Sequence, residues 1–108
     1  VRAQAPPKGA GSAWTGRWYV GNANVCRSKE AEGLFVYTTT SVQAYESRCG
    51  IKKVTPRGAG VDLLQSCRGE GETWTETEYL EVADGKLKRT VQVEGKRQTF
   101  TYNRCPAR

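Results

Sequence analysis

The sequence predicts an all-β fold, a small antiparallel meander of about eight short strands that closes into a barrel and is stapled by disulfides. Three observations carry this. Short segments rich in β-branched and aromatic residues recur at regular spacing between turn formers. No segment sustains a helical period. Four cysteines, Cys26, Cys49, Cys67 and Cys105, stand far apart in a chain of 108 residues with only 37% apolar content. A domain of this length buries roughly two-thirds of its unfolded surface, so its core is weak and a covalent staple is expected.

Residues 1–12 read as a disordered leader rich in Pro, Gly and Ala, and residues 13–108 as one barrel domain. Residues 14–20 (WTGRWYV) form the first strand. A polar connection over 21–33 holds Cys26, and its stretch Ser28 to Glu32 is expected to make one helical turn that Gly33 stops. Strands follow over 34–37 and 42–46, with a turn at 38–40. The next pair, 49–54 and 61–67, flanks a loop over 55–60 dense in turn formers. Gly69-Glu70-Gly71 lies between two strands, so it reads as a hairpin turn and not as a phosphate loop, which needs a helix after it. A long strand, 73–83, leads into Asp84-Gly85, the strongest hairpin signal in the chain. Strands 86–93 and 96–104 close the fold around Glu94-Gly95.

Two-residue loops at Asp84-Gly85 and Glu94-Gly95 set a register. Val82 then faces Leu87, Glu81 faces Lys88 and Leu80 faces Arg89; Val91 faces Gln98, Arg89 faces Phe100 and Leu87 faces Tyr102. One face carries Leu80, Val82, Leu87, Val91, Val93, Phe100 and Tyr102 and should point inward. The aromatics Trp14, Trp18, Trp74, Phe35 and Phe100 are expected to supply much of the core. The same inward face carries Glu76, Glu78 and Arg89 towards one end. An ion pair of Glu78 with Arg89 at the barrel mouth accounts for them structurally, because an unpaired buried charge is costly. A polar group in an apolar cavity, the usual build of a small-molecule site, accounts for them functionally.

There is no CxxC pair and no histidine, so the cysteines lack zinc-site spacing and are expected to form two disulfides, as in exported proteins. Cys49 and Cys67 flank one hairpin at equal distance from its centre near Gly58, which favours Cys49–Cys67 with Cys26–Cys105. The pairing Cys26–Cys49 with Cys67–Cys105 stays open. Ala3-Gln4-Ala5 resembles the end of a signal peptide and agrees with export. No apolar run approaches the roughly 18 residues that cross a bilayer.

The absence of histidine excludes a Ser-His-Asp triad and a Cys-His pair, and paired cysteines leave no thiol nucleophile. Neither enzymatic activity nor a cofactor or metal is expected. The net charge of +6 suits an anionic partner or simply a basic surface. Six of the eleven acids fall between Glu70 and Asp84, so the remaining chain is more basic still. Basic residues interleave with Phe100 and Tyr102, as on a platform for single-stranded nucleic acid. The register, however, puts both rings on the core face, which argues against that use.

Gly16-Arg17-Trp18 at the first strand resembles the G-x-W start of lipocalin-like barrels, in which the Trp plugs the barrel base and a basic residue of the last strand packs on its ring. Arg104 stands where that residue is expected. Trp14-Thr15-Gly16-Arg17-Trp18, the stretch Tyr45 to Ile51, the stretch Cys67 to Glu72 and Tyr102-Asn103-Arg104-Cys105 together resemble small exported alphaproteobacterial β-barrel proteins of unknown function. That resemblance implies export and a β fold. Small periplasmic barrels with a G-x-W start also include inhibitors that act through loops or an N-terminal segment. The first functional expectation is therefore a non-enzymatic binding or inhibitor protein, periplasmic or secreted, with a protein or an anionic envelope component as partner. The second is a small-ligand carrier with its site at the barrel mouth, near Glu76, Glu78 and Arg89.

Overall fold

A computed structural model describes residues 13–106. The leader expected over residues 1–12, with Ala3-Gln4-Ala5, lies outside the described residues. Eight antiparallel strands follow one another around a closed barrel: β1 (Gly16–Tyr19), β2 (Leu34–Tyr37), β3 (Ser41–Ala44), β4 (Ser47–Arg57), β5 (Gly60–Gly69), β6 (Glu72–Ala83), β7 (Lys86–Val93) and β8 (Lys96–Arg104). Two pairs, Trp18–Arg104 and Tyr19–Asn103, join β1 to β8 and close the ring.

Connections in such a meander alternate between the two ends. The turns at 45–46, 70–71 and 94–95 and the β1–β2 connection surround one end, here called the mouth; those at 38–40, 58–59 and 84–85 surround the other. Both central residues of Glu70-Gly71, Asp84-Gly85 and Glu94-Gly95 have positive φ, as a type I′ hairpin turn requires. The register set by the last two turns is the expected one, with Leu80 facing Arg89 and Arg89 facing Phe100.

The end opposite the mouth is filled. Trp14, Trp18, Tyr37, Val61, Leu63, Leu80, Leu87 and Tyr102 form the buried cluster. The Trp18 indole donates to the Trp14 carbonyl at 2.9 Å. The Arg104 guanidinium carbon lies 4.0 Å from the centre of the Trp18 ring, and its nitrogens donate to the carbonyls of Ala13 and Thr15. Gly16 is required here: its φ is +125°, and a Cβ would sit 2.8 Å from Arg104 Nη1.

A second, smaller cluster of Cys26, Leu34 and Cys105 packs with Tyr19, Val25 and Val36. The disulfides are Cys26–Cys105 and Cys49–Cys67, which resolves the open pairing. The first clips the β1–β2 connection to the end of β8; the second joins directly opposed residues of β4 and β5. Disulfides of this kind persist in oxidising compartments and fit a non-cytoplasmic protein. Among the described residues, no helix is long and apolar enough to cross a membrane.

Several expectations are corrected. The helical turn expected at Ser28 to Glu32 is absent; a 3-10 helix spans Ala23–Arg27 instead. The Asn22 side chain accepts from the Asn24 amide at its start, and Arg17 holds the carbonyls of Cys26 and Ser28. Glu30 reaches across to the Glu46 amide. The loop expected over 55–60 is mostly strand, with only Gly58-Ala59 left as the turn. The pairing of β3 with β4 ends at Gly50, so beyond it β4 has an edge on which Pro56 is tolerated. The expected strand over 42–46 ends at Ala44, and Glu46, with φ +61°, lies in the turn. Trp74, Val93 and Phe100 are exposed rather than core, because the long hairpins carry them past the packed end to the mouth.

Candidate functional site

Alternation along β6 places Glu72, Trp74, Glu76, Glu78 and Leu80 on the inner side, descending from the mouth into the core. Glu78 is 2% exposed. Three side chains from three strands converge on it. Arg89 Nε donates to Oε1 at 2.5 Å, while Tyr37 Oη (3.0 Å) and Gln65 Nε2 (2.5 Å) donate to Oε2. Arg89 Nη1 also donates to Tyr102 Oη at 3.2 Å, and its guanidinium lies over Phe35 and Phe100. The buried carboxylate is thus fully engaged, which is the condition for keeping a charge inside.

The electrostatics follow from this packing. Burial alone would lower the Arg89 pKa, but the Glu78 carboxylate beside it reverses the effect and holds it above the ordinary arginine value. Burial, reinforced by Glu78, pushes the Tyr37 phenol well above 10.0. Burial also raises Tyr102, with Arg89 offsetting part of the rise. All three groups therefore keep one charge state through the neutral range.

Above this network the barrel is open. A cavity of about 250 Å³ is lined by Phe35, Tyr37, Gln65, Trp74, Glu76, Glu78 and Arg89, together with small residues of β3 and β4. Glu76 is half-buried, and its Oε1 accepts from Trp74 Nε1 at 2.9 Å, which fixes the indole at the lip. The wall carries two carboxylates and one guanidinium, an excess of one negative charge. At the rim, a hydrogen bond that the protonated Glu70 carboxyl donates to Glu46, and the repulsion of the Glu46 charge, raise the Glu70 pKa.

The structure therefore brings Glu76, Glu78 and Arg89 together, as expected. Sequence reasoning missed Tyr37, Gln65 and Phe35. For Gln65 a signal existed: it continues the alternation Val61, Leu63, Gln65, Cys67, so the inward face of β5 includes it. Tyr37 meets Glu78, and Phe35 meets Arg89, only across the closed barrel, which no local pattern reports. The sulfurs of Cys49 and Cys67 lie near the Glu76 carboxylate, but they are bonded to each other and present no thiolate to a metal. Compared with protein-family models, curated proteins and solved structures, the chain matches none.

Proposed function

We propose that this is an exported, non-enzymatic binding protein of the periplasm or extracellular space that takes a small molecule at the barrel mouth. The observation that carries the reading is the half-filled barrel: one end packed solid, the other a cavity of about 250 Å³ that combines aromatic walls with a few polar groups. Its size suits a compact ligand, below the usual range for a drug-sized one. Its charge selects the ligand further. Arg89 is committed to Glu78, whereas Glu76 stands beside the exposed face of Trp74. An amine-bearing ligand gains from both the carboxylate and the indole. The packing of Arg104 on Trp18 supports the lipocalin-like reading of the G-x-W start.

A second reading rests on the exposed Tyr45, Trp74 and Phe100 near the same mouth, which favour a protein partner seated over it, as an inhibitor would use. One experiment separates the two. Non-denaturing mass spectrometry of the natively exported, oxidised protein should show a small bound amine, and E76Q should lose it while keeping its fold. A bare protein, with no binding to a panel of primary and quaternary amines, sinks the carrier reading and directs the search to protein partners.

A further inference from the structure

On the outer face of the same strands, Arg48 of β4 stands directly opposite Arg68 of β5. Both are exposed, and neither enters the ion pairs formed among the described residues, which are Arg57–Asp62 and Arg89–Glu78. Like charges directly opposed across an antiparallel pair destabilise it. The register is nevertheless locked one residue away, where Cys49 and Cys67 are opposed and joined by the disulfide. The staple thus holds two guanidiniums side by side against their own repulsion.

The depression beside the pair is lined by no acid; Glu46 and Glu70, two residues from Arg48 and Arg68, stand on the rim side and engage each other. The row through the pair runs Gln43, Arg48, Arg68, Thr73 across β3 to β6, and the next runs Ser41, Gly50, Ser66, Thr75. Gly50 has open space where a side chain would stand. Gly50 and Ser66 lie in a shallow depression of about 460 Å³ lined also by Arg48, Arg68 and Thr73. Two planar donor forks, nearby hydroxyls and a depression lined by no carboxylate are the chemistry that recognises a doubly charged tetrahedral oxoanion.

We propose that Arg48 and Arg68 form a phosphate-binding site on the outside of the barrel, separate from the mouth, which takes a phosphate monoester. An oxoanion bound between the arginines turns their repulsion into attraction, so binding and stability are coupled. The phosphate comes either from a soluble molecule or from a lipid headgroup.

The test uses the oxidised full chain. Thermal unfolding is followed in inorganic phosphate and in sodium chloride at matched ionic strength. Phosphate should raise Tm beyond chloride, and R48Q and R68Q should each abolish that difference. In low-salt buffer without phosphate, the same two variants should melt above the wild type, because the repulsion is gone. Side-chain Nε resonances of Arg48 and Arg68 should shift on phosphate titration, with affinity falling at least tenfold in either variant. Equal effects of phosphate and chloride, or a phosphate effect that survives in both variants, overturn the proposal. Co-sedimentation with phosphatidylcholine vesicles carrying phosphatidic acid then identifies the source. Arginine-dependent pelleting assigns the phosphate to a lipid; a phosphate response without pelleting assigns it to a soluble ligand.

Discussion

Arg89 Nε lies 2.5 Å from Glu78 Oε1, and the two residues sit diagonally on adjacent strands inside the barrel, where Arg89 faces Leu80. The pair forms the floor of the mouth cavity. Removing Arg89 leaves Glu78 buried without its counter-ion. R89M is expected to destabilise the fold by about 3–5 kcal/mol. The double change E78L/R89M should cost less than R89M alone, since no charge is then left to desolvate. Urea unfolding of the wild type and the two variants measures both; an R89M loss under about 1 kcal/mol would contradict the view that this carboxylate depends on its partner.

Tyr37 has a folded-state pKa raised by burial and by Glu78. The unfolded chain loses the phenolic proton near the ordinary value while the folded chain keeps it, so the unfolded state binds fewer protons above about pH 10. The stabilisation is therefore complete below that pH and is lost as pH rises towards the folded value. Tyr102 adds to the same slope. Stability measured from pH 8 to 12 should fall steadily above about pH 10, and Y37F should flatten that fall. A slope unchanged in Y37F would assign the alkaline loss to other groups.

The two disulfides constrain loops of very different size. In the chain-entropy picture, Cys26–Cys105, with a separation of 79, contributes about 4.5 kcal/mol, and Cys49–Cys67, with a separation of 18, about 3 kcal/mol. C26S/C105S should therefore lower the urea midpoint more than C49S/C67S. The reverse order would show that the short staple acts mainly through the native state, by holding the β4–β5 register.

Trp14 and Trp18 are 2% and 0% exposed, whereas Trp74 is 37% exposed at the mouth. Acrylamide should quench one fraction of the indole emission readily and leave the rest protected. W74F should remove the accessible fraction. Two accessible fractions in the wild type would mean that the closed end is not packed around Trp18.

Much of this architecture was legible along the chain. Alternating β-prone segments and the pairs Asp84-Gly85 and Glu94-Gly95 determined eight strands, the β6–β7–β8 register and the inward placement of Glu76, Glu78 and Arg89. These are local quantities, since side-chain period and turn geometry act over neighbouring residues. Gly16, Trp18 and Arg104 could be linked across the whole chain only through their resemblance to a known start. Tertiary structure alone decided the rest. Tyr37 and Gln65 meet Glu78 because the sheet closes on itself, and closure sets distances between strands far apart in sequence. Trp74 and Phe100 have the composition of core residues, yet they stand exposed because the hairpins outrun the packed end. Burial depends on how far a strand extends past its neighbours, which the residues of that strand do not encode by themselves. The 3-10 helix at Ala23–Arg27 was decided in the same way, by a clamp from Arg17 on the neighbouring strand.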